Sequence, residues 1–249
     1  MQKDAEKTVV VTGGTKGIGR AIATEFALAG YRTAILGRKP EEGEAAAAEI
    51  RKETGSYVRF FACDLSDSED IKRAVSDLLD VFPKIDCLVN NAGIYPAVPF
   101  LEMKADQFDQ VFSVNVRGTF LMTQEIAGRA MVPNKKGKII CISSVDGWKP
   151  SAGITAYAAS KAAVNSMVKS FAIELAPYGI TANGIAPGWV GTEPVRKAGR
   201  WKSQIGGVLE GRMAEPSEIG RAAVALCSGD FAYMDGEIIN LSGGLILNG

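Results

Sequence analysis

The sequence predicts an α/β protein built on a doubly wound parallel sheet of about seven strands, with helices on both faces. Short runs of β-branched and apolar residues alternate with longer segments whose apolar residues recur about every 3.6 positions. Strand, helix and strand repeated in this way favour parallel pairing, because each crossover helix returns the chain to the same edge of the sheet. The predicted strands cover residues 8–12, 33–36, 58–62, 86–90, 138–143, 180–185 and 237–241.

The segments between these strands predict the helices and a single domain. Helical spacing runs through residues 18–29, 71–82 and 108–131, and the alanine-rich stretch 41–50 consists largely of strong helix formers. No linker rich in Gly, Pro or Ser, no long charge run and no internal repeat divides the sequence. Residues 1–249 are therefore expected to form one domain, with its ligand at the carboxyl ends of the strands.

Composition and charge exclude several classes of function. Lys and Arg together number 28, as do Asp and Glu, so the net charge gives no reason to expect nucleic acid or an acidic membrane as a partner. The opening residues lack a signal-peptide pattern, and no run of about 18 apolar residues predicts a membrane span. The four cysteines have no metal-ligand spacing and are expected to be free, buried thiols in a reducing compartment. We therefore expect a cytoplasmic protein without a metal site.

The first strand leads directly into the glycine-rich stretch TGGTKGIG at residues 12–19, and a helical segment follows it. A phosphate-binding loop needs this order, because Gly13, Gly17 and Gly19 let the backbone approach a pyrophosphate that the helix N-terminus attracts. The spacing is Gly-x-x-x-Gly-x-Gly, one residue off the common dinucleotide fingerprint, and a tight turn without a ligand is the alternative. The pattern favours a nucleotide-binding domain of the Rossmann type.

The end of the second strand predicts which nucleotide is bound. An acidic side chain at this point would hydrogen-bond the adenosine ribose and reject a 2′-phosphate. Gly37 leaves the position without an acid, Arg38 and Lys39 follow it, and Lys16 lies in the glycine-rich stretch. Basic side chains suit a phosphate, although all three could be solvated surface charges. We expect NADP(H) to be preferred over NAD(H).

The chain contains no histidine, so an enzyme with this sequence needs another group to transfer protons near neutral pH. Tyr157 and Lys161, in the stretch YAASK, would lie one helical turn apart on the same face. A nearby ammonium favours the phenolate of a tyrosine and would bring its pKa down toward the working range. Alternatively, Tyr157 could be an amphipathic core residue whose hydroxyl is satisfied.

These stretches, in this order, resemble the single-domain short-chain dehydrogenase/reductases, and the similarity runs from Thr8 to about Gly244. Ser144 precedes Tyr157 by thirteen residues, as in that family. The closing stretches GRMAEPSEIG and GEIINLSGG are most similar to the 3-oxoacyl-carrier-protein reductases within it. The resemblance is carried by TGGTKGIG, CDLSD (63–67), NNAG (90–93), Asn115, ISS (142–144), YAASK (157–161), PGWVGT (187–192) and GEIINLSGG (236–244).

The resemblance implies an NADP-dependent oxidoreductase that transfers hydride between nicotinamide C4 and a carbonyl or secondary alcohol. Tyr157 would be the general acid or base, and Ser144 would hydrogen-bond the carbonyl oxygen. Lys161 would bind the nicotinamide ribose, while Asn115 would hold a water that relays the proton. The implied cofactor-binding positions are Gly13, Thr15, Lys16, Gly17, Ile18, Gly19, Gly37, Arg38, Lys39, Asp64, Leu65, Asn90, Asn91, Ala92, Gly93, Tyr157, Lys161, Pro187, Gly188, Val190 and Thr192.

The substrate region is expected to be largely apolar and covered by a lid. Tyr95, Val145, Trp148 and Trp189 follow strand ends and could wall a pocket over the nicotinamide, or pack in an interface instead. Residues 191–211 are expected to form a mobile substrate lid. The most specific substrate that the resemblance implies is a 3-oxoacyl thioester or a related ketone.

The resemblance also implies self-association, as a homotetramer or a dimer, through the apolar faces of helices at 108–131 and 155–176. Lys135 matches one of two basic positions with which the carrier-protein reductases hold their partner, but Tyr178 occupies the other. Two other functions stay open: a non-catalytic NADP-binding sensor or scaffold, and a lyase or epimerase that uses the cofactor transiently. The predicted catalytic set favours an enzyme acting on a small carbonyl or alcohol, since a pure binder needs no proton pathway.

Overall fold

The strands lie close to their predicted positions. In the computed structural model, which describes residues 7–247, they are β1 (Thr8–Thr12), β2 (Arg32–Gly37), β3 (Val58–Ala62), β4 (Cys87–Asn90), β5 (Gly137–Ile142), β6 (Ile180–Pro187) and β7 (Ile238–Leu241). Within this part of the chain they form one seven-stranded sheet in the order β3-β2-β1-β4-β5-β6-β7, and every neighbouring pair is parallel. The predicted doubly wound parallel sheet is confirmed, and its order reverses between β1 and β4.

Helices cover both faces of the sheet. They are α1 (Gly17–Leu28), α2 (Pro40–Thr54), α3 (Ser68–Val81), α4 (Ala105–Phe112), α5 (Thr119–Ile126), α6 (Val132–Asn134), α7 (Thr155–Leu175), α8 (Glu193–Ala198) and α9 (Pro216–Cys227). One apolar core lies between the sheet and α1, α2 and α9; the other lies between the sheet and α3, α5 and α7. The interior strand β1 reads TVVVT and is buried along its whole length, because both of its faces are covered.

Two helices extend beyond their predicted bounds. Helix α3 begins at Ser68 rather than near residue 71, because the Asp67 carboxylate caps it by accepting from the N–H groups of Glu69 and Asp70 at 2.8 and 3.3 Å. The helix expected at 108–131 spans α4 to α6 without a break in the helical backbone. It includes π-helical turns at Ser113–Gly118 and Ala127–Met131, which apolar spacing does not reveal. No helix between residues 7 and 247 is long and apolar enough to cross a membrane.

The four cysteines are buried, as expected, and two of them meet in the core. The sulfur atoms of Cys87 on β4 and Cys227 at the end of α9 are in contact, with their Cα atoms 6.8 Å apart. They are 140 positions apart in the sequence, and they meet because α9 packs over the face of the sheet to which Cys87 points. Cys63 and Cys141 are free and buried, as expected.

Candidate active site

The carboxyl ends of the strands open into one large cleft with a volume of roughly 1120 Å³. It lies where the strand order reverses between β1 and β4, the position at which doubly wound sheets bind ligands. The lining comes from the loops that follow β1 to β6 and from α7. The structure brings nearly all of the sequence-predicted site residues to this cleft; Asn90, Asn115 and Trp148 do not line it.

The turn between β1 and α1 forms a cradle that a phosphate group fits. Gly13 and Gly17 adopt φ angles of +64° and +57°, which L side chains rarely adopt. A Cβ on Gly19 would lie 2.2 Å from the Gly13 carbonyl oxygen, so only glycine fits there. No side chain caps the N-terminus of α1, and its first turn carries no acidic residue. The first N–H groups of α1 belong to residues that line the cleft, and they suit a pyrophosphate.

The loop after β4 is tied to this cradle by side chains of the neighbouring strand ends. The N–H groups of Asn91 and Ala92 donate to Thr12 Oγ1 at 3.0 and 3.1 Å. Asn91 Nδ2 in turn donates to the carbonyl oxygens of Thr12 and Gly13 at 2.9 and 3.2 Å. Asn90, by contrast, points into the core and donates to Thr123 Oγ1 at 2.9 Å. The loop therefore holds Asn91, Ala92 and Gly93 against the cleft, while Asn90 is structural.

The end of β2 carries the predicted basic side chains together with an acid that sequence reasoning missed. Lys16, Arg38 and Lys39 line the cleft and are exposed. Glu42, in the first turn of α2, also lines it and accepts a hydrogen bond from Lys39 Nζ at 2.6 Å. That hydrogen bond lowers the pKa of Glu42, and the charge of Lys16 contributes to the lowering. The sequence did contain a signal for this acid, because Glu42 follows Lys39 by three residues, a spacing at which oppositely charged side chains pair on a helix.

The loops after β3 and β6 close the sides of the cleft. The Asp64 carboxylate accepts from the N–H and Oγ of Ser66 at 2.9 and 2.7 Å, while Leu65 is buried beside it. On the opposite side, Pro187, Gly188, Val190 and Thr192 line the cleft after β6. A Cβ on Gly17 would lie 3.4 Å from Thr192 Cγ2, so the end of this loop contacts the glycine cradle.

Helix α7 and the turn after β5 bring Tyr157, Ser144 and Lys161 together. The turn packs closely on α7 because Gly147 has no side chain; a Cβ there would lie 3.0 Å from the Lys161 carbonyl carbon. The Ser144 hydroxyl lies close enough to the Tyr157 phenol to lower its pKa. Lys161 is buried, and its Nζ donates to the Ile142 carbonyl oxygen at 2.7 Å. Two hydroxyls and an ammonium thus meet at one end of the cleft.

The pKa values of this group depend mainly on burial. Burial raises the pKa of Tyr157, an effect that the Ser144 hydroxyl opposes and that the charge of Asp146 reinforces. Burial lowers the pKa of Lys161 from 10.5 to about 8. The expectation that Lys161 would bring the pKa of Tyr157 down is therefore wrong for the protein alone. Removal from water dominates the pKa of Tyr157, and Lys161 is not among the groups that lower it.

Asn115 lies behind the cleft rather than on its wall. It is buried in the π-helical turn Ser113–Gly118. Its Oδ1 accepts from the Ile94 N–H at 2.8 Å, and its Nδ2 donates to the Ile94 carbonyl and to Ser160 Oγ, both at 3.0 Å. The side chain therefore fixes the loop after β4 against α7. A Cβ on Gly93 would lie 3.3 Å from Asn115 Oδ1 and 3.6 Å from Lys161 Nζ, which places both groups beside Gly93.

The end of the cleft that holds Tyr157 is lined by apolar and polar side chains. Tyr95, Val145 and Trp189 line it, and the Tyr95 ring packs edge-on to Tyr157 with centroids 5.9 Å apart. Trp148 lies outside the lining, because the turn after β5 leaves it on the surface with 38% of its area exposed. Between residues 193 and 207, α8 and the turns after it roof the cleft with Pro194, Val195, Ala198, Arg200, Ser203, Gln204 and Gly207.

Asp146 is the second acidic residue of the lining that sequence reasoning missed. Ser144 Oγ donates to Asp146 Oδ2 at 3.2 Å, the Asp146 N–H donates to Ser144 Oγ at 3.1 Å, and Ser151 Oγ donates to Oδ1 at 2.9 Å. Its position two residues after Ser144 was visible in the sequence. Only the tight turn after β5, however, places its carboxylate in the cleft.

The glycine cradle at the point of strand reversal, with a tyrosine, a serine and a lysine at the other end of the same cleft, defines a dinucleotide-binding protein of the Rossmann class. The model of the short chain dehydrogenase family matches residues 7–203. The chain therefore belongs to the short chain dehydrogenase family. It is an oxidoreductase that acts on CH–OH and C=O groups, in a family that binds a nicotinamide cofactor.

Individual relatives cover almost the whole chain. The 3-oxoacyl-[acyl-carrier-protein] reductase of Aquifex aeolicus is 37% identical over 246 residues, which is 96% of this chain and 97% of the relative. The sorbitol dehydrogenase of Cereibacter sphaeroides is 34% identical over 251 residues, 96% of each chain. The structure of an NAD⁺-bound xylitol dehydrogenase superposes with a TM-score of 0.91 at 29% identity, covering 98% of this chain and all of that one.

Proposed function

We propose that the protein is an NADP-dependent carbonyl reductase or alcohol dehydrogenase in which Tyr157 is the general acid and base. The observation that carries the proposal is the meeting of Tyr157, Ser144 and buried Lys161 at one end of the cleft that contains the glycine cradle. The phenol can give a proton to a carbonyl oxygen or take one from an alcohol. The Ser144 hydroxyl can donate to the same oxygen and stabilise its developing charge.

The nicotinamide cofactor, when bound, supplies or accepts the hydride at C4 of its ring. The cradle of Gly13, Gly17 and Gly19 is proposed to hold its pyrophosphate, with Thr15 and Ile18 in the same turn. Asp64 and Leu65 would hold the adenine, the loop from Asn91 to Gly93 would border the ribose, and the loop from Pro187 to Thr192 would hold the nicotinamide end. Support comes from the shared cleft, which all of these residues line.

The preference for NADP(H) is proposed from charge at the end of β2. Gly37 leaves no acid to bind the ribose hydroxyls, while Lys16, Arg38 and Lys39 line the cleft beside it. Glu42 opposes this preference in part, since it pairs with Lys39. A bound 2′-phosphate would replace that carboxylate as the partner of Lys39.

The proton is proposed to pass between Tyr157 and solvent by way of Lys161. The lysine is buried and has a pKa near 8, so it can exchange a proton at moderate pH. Its Nζ and the Asn115 amide both lie close to Gly93. The Asn115 side chain makes three hydrogen bonds, and these position Ile94 and Ser160. Because the side chain is already used in this way, a water held by Asn115 would bind to the backbone of this residue.

Two wider features belong to the same proposal. Residues 1–249 would act as one NADP-binding domain, in which residues 191–211 open and close over the substrate; residues 1–6 and 248–249 lie outside the described range.

The chain would form a homotetramer through α4, α5 and α7, where Phe112, Val116, Phe120 and Met167 line an apolar groove. Light scattering at micromolar concentration tests the assembly, and a monomer mass would contradict it.

The function is tested by oxidation of NADPH and NADH in the presence of a panel of ketones. The panel contains 3-oxoacyl thioesters, because of the overall similarity to the Aquifex reductase, together with diketones, hydroxylated ketones and cyclic ketones. Turnover of at least one class with NADPH, lost in the Tyr157→Phe variant, is the expected result. NADPH binding at micromolar affinity without any turnover would instead support a sensor.

A further inference from the structure

The proposed reaction leaves one carboxylate in the cleft without a role. Asp146 is half-buried in the turn after β5 and lines the cleft. Its two oxygens accept from Ser144 Oγ at 3.2 Å and from Ser151 Oγ at 2.9 Å. The other acids that line the cleft within the described residues, Glu42 and Asp64, follow β2 and β3 at the opposite end. Asp146 is therefore the acid that a substrate next to Ser144 would meet.

The Asp146 carboxylate has hydrogen-bonding capacity to spare. An ionised carboxylate accepts at about four positions, and the two serine hydroxyls occupy two of them. A ligand that covers a half-buried carboxylate without donating to it incurs a desolvation cost. An alkyl or acyl chain has no donor to offer, whereas a hydroxyl group next to the reacting carbon has one.

The other charges of the cleft limit the net charge that a substrate can carry. Lys149 and Arg200 line the cleft, and Arg200 Nη2 donates to the Ala152 carbonyl at 3.2 Å, close in sequence to Ser151. A cationic substrate would meet these like charges, and an anionic one would meet Asp146. A neutral substrate with several hydroxyls avoids both penalties. Ser203 and Gln204 in the roof offer it further polar partners.

We propose that Asp146 is a specificity-determining residue that accepts hydrogen bonds from substrate hydroxyl groups, and that the substrate class is neutral polyhydroxylated ketones and their alcohols. The inference rests on the proposed reductase and deepens it. Ser144 has a single hydroxyl proton, which it donates to Asp146 in this structure. A substrate hydroxyl that takes its place on the carboxylate leaves the Ser144 proton for the carbonyl oxygen.

The test compares two ketones that share a four-carbon skeleton, erythrulose and butanone, with NADPH as the reductant. The wild-type protein is expected to reduce erythrulose with a kcat/KM at least about tenfold above that for butanone, because hydrogen bonds to a charged group discriminate on this scale. In Asp146→Leu the ratio of the two kcat/KM values, erythrulose over butanone, should fall about tenfold or more, mainly through the KM for erythrulose. Asp146→Asn, which keeps the shape and one acceptor oxygen, should lie between the two.

Each other outcome is decisive. Equal losses for both ketones would make Asp146 a positioning residue for Ser144 and overturn the specificity assignment. Wild-type turnover that favours butanone, or an unchanged ratio in both variants, would also overturn it while leaving the reductase intact. No turnover of any ketone in the wider panel would overturn the reductase itself. NADPH affinity, measured by fluorescence titration, establishes that each variant is folded.

Discussion

Lys161 Nζ lies 5.6 Å from the centroid of the Tyr157 ring and donates its hydrogen bond to the Ile142 carbonyl, not to the phenol. The two residues share one face of α7, one turn apart, yet burial moves their pKa values in opposite directions. It raises the pKa of Tyr157 and lowers that of Lys161 to about 8. Burial favours the uncharged form of both groups, so the protein alone holds the phenol as a proton donor.

The pKa of Lys161 predicts how stability depends on pH. Below about pH 8 this lysine is charged in both states, and keeping the charge buried costs the folded state roughly 3 kcal/mol. Between about pH 8 and 10.5 the folded protein releases this proton while the unfolded chain keeps it, so stability rises with pH. Urea unfolding should show a gain of about 2 kcal/mol for the wild type, relative to Lys161→Met, between about pH 7 and pH 10.

The comparison with Lys161→Met is needed because other buried groups act in the opposite sense. Tyr157, Cys63 and Cys141 have raised pKa values, so they destabilise the folded state at pH values above their ordinary pKa. The difference between the two proteins removes these contributions. A difference that does not change with pH would contradict the account of Lys161.

Replacing Tyr157 with Phe removes the proposed acid and leaves the shape of the site intact. Turnover should fall by about a thousandfold or more, because general acid–base catalysis contributes on this scale. NADPH affinity, followed by fluorescence, should change little. Tyr95→Phe is the matched control, since that ring packs on Tyr157 and carries a hydroxyl in the same cleft. Comparable activity of the Tyr157→Phe variant and the wild type would remove Tyr157 from the reaction.

Replacing Gly37 with Asp should shift the preference from NADPH toward NADH, but only when Thr15 is changed as well. A Cβ at Gly37 would lie 2.8 Å from Thr15 Cγ2, so the single variant is sterically strained. Thr15→Ser removes that methyl group and retains the hydroxyl. In the double variant the ratio of kcat/KM for NADH over NADPH should rise about tenfold or more, since an acid binds the ribose hydroxyls and repels the phosphate. A ratio equal to that of Thr15→Ser alone would contradict the assignment of the ribose site.

Replacing Glu42 with Gln should tighten NADPH binding. The carboxylate competes with the 2′-phosphate for Lys39, to which it is hydrogen-bonded at 2.6 Å. Because the pair is exposed, the gain is expected to be modest, about threefold in Kd, and to shrink at high salt. Glu41→Gln removes an equal charge from the same helical turn and serves as the control. The same gain in NADPH affinity in both variants would show that it comes from the change in net charge and not from release of Lys39.

The sequence predicted the strands, and the edge of the sheet at which the cleft opens, because both depend on local patterns. Apolar runs such as TVVVT and the glycine turn at residues 12–19 carry their structural meaning within a few positions. The features that the sequence did not predict depend on contacts between distant segments. The contact of Cys87 with Cys227 depends on how α9 packs on the sheet. The role of Asn115 depends on its three hydrogen bonds to Ile94 and Ser160, which lie on two other segments.

Electrostatic relationships were the hardest to predict. The spacing of Tyr157 and Lys161 shows that they share a helix face, but it does not show how deeply each is buried, and burial decides the direction of both pKa shifts. The sequence likewise does not show that Asp146 and Glu42 line the cleft, because the turn after β5 and the start of α2 place them there.

Tyr157-dependent hydride transfer from NADPH can be followed directly with cofactor that carries deuterium at both hydrogens of C4. The ketone that the wild-type protein turns over fastest is incubated with this cofactor, and the product alcohol is examined by mass spectrometry. We expect the wild type to form alcohol with one deuterium on the carbinol carbon, and Tyr157→Phe to form almost none of this alcohol in the same time. Alcohol without the label, or labelled alcohol formed equally fast by the variant, would contradict it.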